Sequence, residues 1–156
     1  MIQRIQTLFL AIALVAVVLA FFYPVASFWS ENYSLRLSLA GIDKIHDQSG
    51  SVQVNTIPLI ALNSIAGLLI LISIFLYKKR ILQLRMVRFA IFADIIMLVL
   101  LFFFYIPQIE EHTTSSAEYL SEPGIYFPLV ALVFLTLAIR YIVRDEKLVR
   151  SADRIR

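Results

Sequence analysis

The sequence predicts an all-α membrane protein: a four-transmembrane-helix bundle with a small extracytoplasmic β-hairpin-like loop. Three observations predict it. Of 156 residues, 60% are apolar and only 16% are charged, against about 25% charged in soluble domains. The apolar residues come in four long blocks rather than in alternation. The basic residues collect at one side of those blocks. A bilayer core of about 30 Å takes roughly 20 helical residues at 1.5 Å each. Open sheet edges cannot cross lipid, because their backbone groups would go unpaired.

Each block qualifies in turn. Thr7–Phe28 and Ile57–Tyr77 carry no charge, Phe89–Ile106 carries only Asp94, and Ile125–Val143 carries only Arg140, near its end. The chain reads as one integral membrane domain over residues 1–156, with an outer loop at 30–56 and a cytoplasmic tail at 144–156. The first block has a basic start at Arg4, and Val25-Ala26-Ser27 loosely resembles a signal cleavage site. It exceeds the roughly 7–15 residues of a signal h-region, so it is expected to stay as an anchor.

Charge orients the spans. With Arg4, the loop Lys78–Arg88 and the tail on one side, that side holds 12 of the 14 Lys and Arg, leaving Arg36 and Lys44 opposite. The net charges are then +9 on the basic side and −5 on the other, with Asp94 in a span. The positive-inside rule places the basic side, with both termini, in the cytoplasm of an inner-membrane protein. The pI of about 9.3 therefore reflects topology and anionic headgroups, not nucleic acid, for which no stacking platform or recognition module is present. Aromatic residues at the span ends (Phe28, Trp29, Tyr77, Phe104, Tyr105, Tyr126, Tyr141) fit headgroup anchors. All five prolines fall near the outer ends, where a missing N–H costs least. Alternation in Tyr33–Leu39, and again in Val52–Val54 beyond Ser49-Gly50, predicts a small two-stranded element on the outer face, resting on the helix ends or on a partner.

Chemistry is scarce. The absence of cysteine excludes disulfide scaffolds, thiolate zinc sites and iron–sulfur clusters. Two histidines and four glycines leave little for a haem site, a P-loop or a dinucleotide fold. Glu110-Glu111-His112 and Asp43–Asp47 lack the paired-His pattern of a zinc hydrolase and read as solvated loop. No elbow motif presents a serine. No enzyme activity and no cofactor are expected.

Asp94 is the one acid inside a span, which marks it as a candidate site in need of a partner. It lies six residues, about 9 Å of helix, from Arg88. Arg140 and Ser73 are expected at similar depth, giving either a packing pair of Asp94 with Arg140 or hydroxyls, or a proton or cation site. Asn63, with Ser64, Ala66 and Gly67, makes the second span the most polar and fits close helix packing.

The tail mixes charges. Leu148, Ala152 and Ile155 form one helical stripe, and Glu146 to Arg150 is a favourable i,i+4 pair. Asp145, Glu146 and Asp153 interleave with Lys147, Arg150 and Arg154, whereas pure lipid anchoring favours an all-basic face. The tail, with Arg80, Gln83 and Arg85 of the basic loop, is therefore the expected docking surface for a cytoplasmic or membrane protein partner.

The segments Met1–Thr7, Ile74–Arg85 and Asp145–Arg156 resemble those of a family of small four-span membrane proteins of Bacteroidota, catalogued as a domain of unknown function, number 4293. The resemblance covers the whole chain. It implies the fold and the membrane location, and carries no activity, substrate or catalytic residue. The expected function is a non-enzymatic accessory or assembly protein; the alternative is a small transporter or channel subunit working through Asp94.

Overall fold

Pro24 decides where the first helix stops. The apolar run continues to Phe28, but proline has no N–H to extend the ladder, and the residue before it is pushed out of the helical region. In the computed structural model, which describes residues 2–29, 34–46, 55–112 and 118–153, α1 spans Ile2–Phe22 and the run resumes as strand β1, Ala26–Trp29. A short apolar stretch fits a buried strand as well as a helix end, and its periodicity does not separate the two.

Strands β2 (Ser34–Ser38) and β3 (Gly41–His46) follow, and β4 (Glu118–Ser121) comes much later in the chain. They form one antiparallel sheet in the order β3-β2-β1-β4. The small β-element is thus four-stranded, not two-stranded, and the turn between β2 and β3 falls at Leu39-Ala40. The predicted strand Val52–Val54 lies outside the described residues. Alternation marked Leu35, Leu37 and Leu39 correctly: all three are buried, with Ala26 and Phe28, against one end of the helices.

Helix α2 is Ile57–Phe75, opened by Pro58 in its first turn and by Asn55 Oδ1 accepting from the Ile57 N–H at 3.0 Å. A 3₁₀ turn, Leu76–Lys78, and Lys79 alone connect it to α3, Arg80–Leu100. The basic loop of the sequence reading is therefore mostly the first turns of a helix. Five π-helical residues, Leu101–Tyr105, join α3 to α4, Ile106–His112. Pro107 explains the wide turn. It cannot donate to the carbonyl four residues back and its ring would strike it, so the backbone widens just before it. Helix α5 is Tyr126–Asp153.

Four helical segments, Ile5–Phe22, Ile57–Phe75, Arg80–Glu110 and Pro123–Glu146, are long and apolar enough to cross a membrane. They form a ring in which α1 packs on α5, α5 on α3, α3 on α2 and α2 on α1. The sheet covers one end of the ring. There Gly124 donates its N–H to Pro24 O at 2.8 Å, and a side chain at 124 would run into the Pro24 and Tyr23 carbonyl oxygens. That close approach ties the start of the last helix to the end of the first.

Candidate functional site: a polar layer in the middle of the bundle

Each helix buries one seam whose residues recur at alternating three- and four-residue steps. On α1 these are Gln6, Leu10, Ala13, Val17 and Ala20; on α2, Leu59, Asn63, Ala66, Ile70 and Ser73. On α3 they are Gln83, Val87, Ala90, Asp94 and Met97; on α5, Ala131, Leu135, Ala138, Ile142 and Asp145. That spacing is the heptad seam of helices packed with knobs into holes.

Four polar contacts fix the register. Gln6 Nε2 donates to Tyr141 O at 3.2 Å, joining α1 to α5. Asn63 Nδ2 donates to Val17 O at 3.1 Å, joining α2 to α1. Gln83 Nε2 donates to Ser73 O at 3.1 Å, joining α3 to α2. Arg80 holds α5 twice: Nη1 donates to Asp145 O at 3.1 Å, and Nη2 lies 3.0 Å from Asp145 Oδ2 as an ionic contact off the hydrogen-bonding line.

Counting along the seams from these pins gives the layers. Gln6, Ser73, Gln83 and Ile142 share the layer next to the connection between α2 and α3. Two apolar layers follow. The fourth layer is Val17, Asn63, Asp94 and Ala131, and the fifth holds Ala20, Leu59 and Met97. The apolar cores agree: Ile70, Val87, Ala131 and Leu135 belong to one cluster, while Ala20, Leu59 and Met97 belong to another with the sheet. The Asn63–Asp94 layer lies where the two clusters meet.

This register corrects the expected neighbours of Asp94. Ser73 lies in the layer of Gln83, eleven residues or about 16 Å along the helix from Asp94. Arg140 lies nine residues, about 13 Å, from Ala131 of the Asp94 layer. It is exposed, at the end of a surface groove walled by Leu132, Val133, Thr136 and Leu137. No Asp94–Arg140 pair forms. The reason is the start of α3: because the helical segment runs from Arg80 to Glu110 and does not begin at Phe89, Asp94 sits near its middle rather than near its basic end. Asp94 is 1% exposed, and neither carboxyl oxygen has a hydrogen-bond partner among the described residues. Asn63 Oδ1, Ser73 Oγ and Gln83 Oε1 are likewise buried without one.

The expected docking residues separate. Arg80 and Asp145 face each other, and Gln83 is turned into the bundle. Arg85 and Arg144 are exposed, and Glu146 is half-buried. Lys147, Leu148, Arg150 and Asp153 continue the backbone of α5, whereas Arg154 lies outside the described residues. Gln6 and Gln83 were missed as contacts between helices. Their signal was present in the sequence, since both fall on the heptad positions of their apolar neighbours. Among the described residues, no three His, Asp or Glu side chains gather as metal ligands.

The architecture defines a class: a bundle of four helices, each long and apolar enough to span a membrane, capped by a small sheet at one end. Within that class the chain belongs to the family described as Domain of unknown function (DUF4293), whose model matches residues 2–155. No curated protein matches it.

Proposed function

We propose that this chain is a non-enzymatic accessory or assembly protein of the cytoplasmic membrane, with both termini in the cytoplasm. It docks a membrane or cytoplasmic protein through the face formed by the first turns of α3 and the end of α5. The observation that carries this reading is the Arg80–Asp145 clasp. It fastens the two segments richest in basic residues to one another, and each segment carries an exposed arginine, Arg85 on α3 and Arg144 on α5. The charge asymmetry of the sequence supports the cytoplasmic assignment.

The test is affinity capture from native membranes with an N-terminal tag, comparing the full chain with one ended after Glu146. That end point keeps the clasp and removes only the mixed-charge tail. A partner recovered with the full chain and lost with the shorter one, at equal membrane insertion, is the expected result. The same proteins in both samples, or none, would remove the tail from the proposal.

A second reading has its own observation, the partnerless carboxyl of Asp94 deep in the bundle. It makes the chain a small transporter or channel subunit. Its test is ion flux in proteoliposomes, with the flux lost in Asp94→Asn.

A further inference from the structure

At the Asn63–Asp94 layer the count of hydrogen-bond donors fails. Asn63 Nδ2 faces a backbone carbonyl, Val17 O, which can only accept. That contact fixes the orientation of the amide and leaves Oδ1 as its free acceptor. Among the described residues Oδ1 is buried without a partner, and so are Oδ1 and Oδ2 of Asp94. The layer thus holds three partnerless side-chain oxygens, two of them on one carboxyl group. Both residues are 1% exposed. Among the described residues, the buried seams of the other two helices bring Val17 of α1 and Ala131 of α5 to this level, neither of them charged. The adjoining layers add Ala13, Ala66, Ala90 and Leu135 on one side, and Ala20, Leu59 and Met97 on the other. On α3 itself the nearest basic residue is Arg88, six residues away and exposed.

An unpaired carboxylate in so apolar a place has neither solvent nor a counter-charge to stabilise it. One proton removes the buried charge and pairs two of the three oxygens, because it turns one carboxylate oxygen into an O–H donor for an acceptor in the same layer. We propose that Asn63 and Asp94 form a proton-binding site in the middle of the bundle, with Asp94 as the carboxylic acid donating to Asn63 Oδ1. One proton is taken up, one O–H bond forms on Asp94, and no other covalent bond changes. The bound proton completes a chain of hydrogen bonds from α3 through Asn63 to the Val17 carbonyl of α1, so one protonation event ties three helices. This assignment goes beyond the docking face proposed above and does not depend on it.

Infrared spectroscopy of the full chain in lipid vesicles at neutral pH tests the site, with aspartate carboxyl groups labelled with carbon-13. The chain has five aspartates. The expected spectrum shows a carboxylic-acid C=O band that moves on labelling, has the intensity of one residue and is missing in Asp94→Asn. In Asn63→Leu the same band moves to higher frequency, having lost its acceptor. The labelled wild-type spectrum can overturn the proposal even where a variant fails to insert. Only carboxylate bands from aspartate would overturn the proposal. A carboxylate band that responds to sodium or potassium would overturn it in favour of a metal-cation site.

Discussion

Asn63 and Asp94 illustrate how much a single hydrogen atom decides inside an apolar bundle. Asp94→Asn offers Nδ2 as a donor in place of the acid O–H, so Asn63 Oδ1 keeps a partner. Asp94→Ala leaves Oδ1 buried and unpaired, which costs about 1–3 kcal/mol. In thermal unfolding in mild detergent, Asp94→Asn should melt close to the wild type and Asp94→Ala clearly below it. Equal destabilisation of the two would mean that Asp94 donates nothing. The sequence marked Asp94 by its charge but gave it the wrong neighbours. Depth in a bundle depends on where each helix starts, and a run of basic residues such as Lys78–Arg88 looks the same whether it is a loop or the first turns of a helix.

At the scale of elements, Arg80 clasps the basic end of α3 to that of α5. The Arg80 and Asp145 side chains are 23% and 11% exposed, so water still screens the pair. A double-mutant cycle with Arg80→Ala and Asp145→Ala should give a coupling of about 1 kcal/mol, shrinking as salt is raised. A coupling indistinguishable from zero would separate the two segments and remove the basis of the docking face. The four helices were legible as apolar blocks, because a span must be long and uncharged. Of the sheet, one strand in four was legible. Alternation exposed β2, whereas β1 was hidden in the tail of an apolar run and β4 in four residues far along the chain. Their pairing depends on the helix ends meeting at Gly124 and Pro24, which no local pattern encodes.

At the scale of the whole molecule, two kinds of polarity coexist. Charge is distributed between the ends, with the sheet over the acidic end and the Arg80–Asp145 clasp at the basic one. Uncharged polar groups are distributed along the seams, where Gln6, Asn63 and Gln83 each reach a backbone carbonyl of a neighbouring helix. Such contacts set register in a setting where apolar packing alone discriminates poorly between alternatives. The first distribution was readable from a count of lysines and arginines. The second became readable once the seams were aligned, because its residues gain meaning only by the layer they share.

The claim on which the rest depends is that the bundle crosses the membrane with its basic end in the cytoplasm. Cysteine labelling tests it directly, since the chain has no cysteine of its own. Arg36→Cys on the sheet and Lys79→Cys between α2 and α3 both replace exposed side chains. With a membrane-impermeant maleimide on intact spheroplasts, Arg36→Cys should react at once and Lys79→Cys only after lysis. Reaction of both before lysis, or of Lys79→Cys alone, would contradict the account.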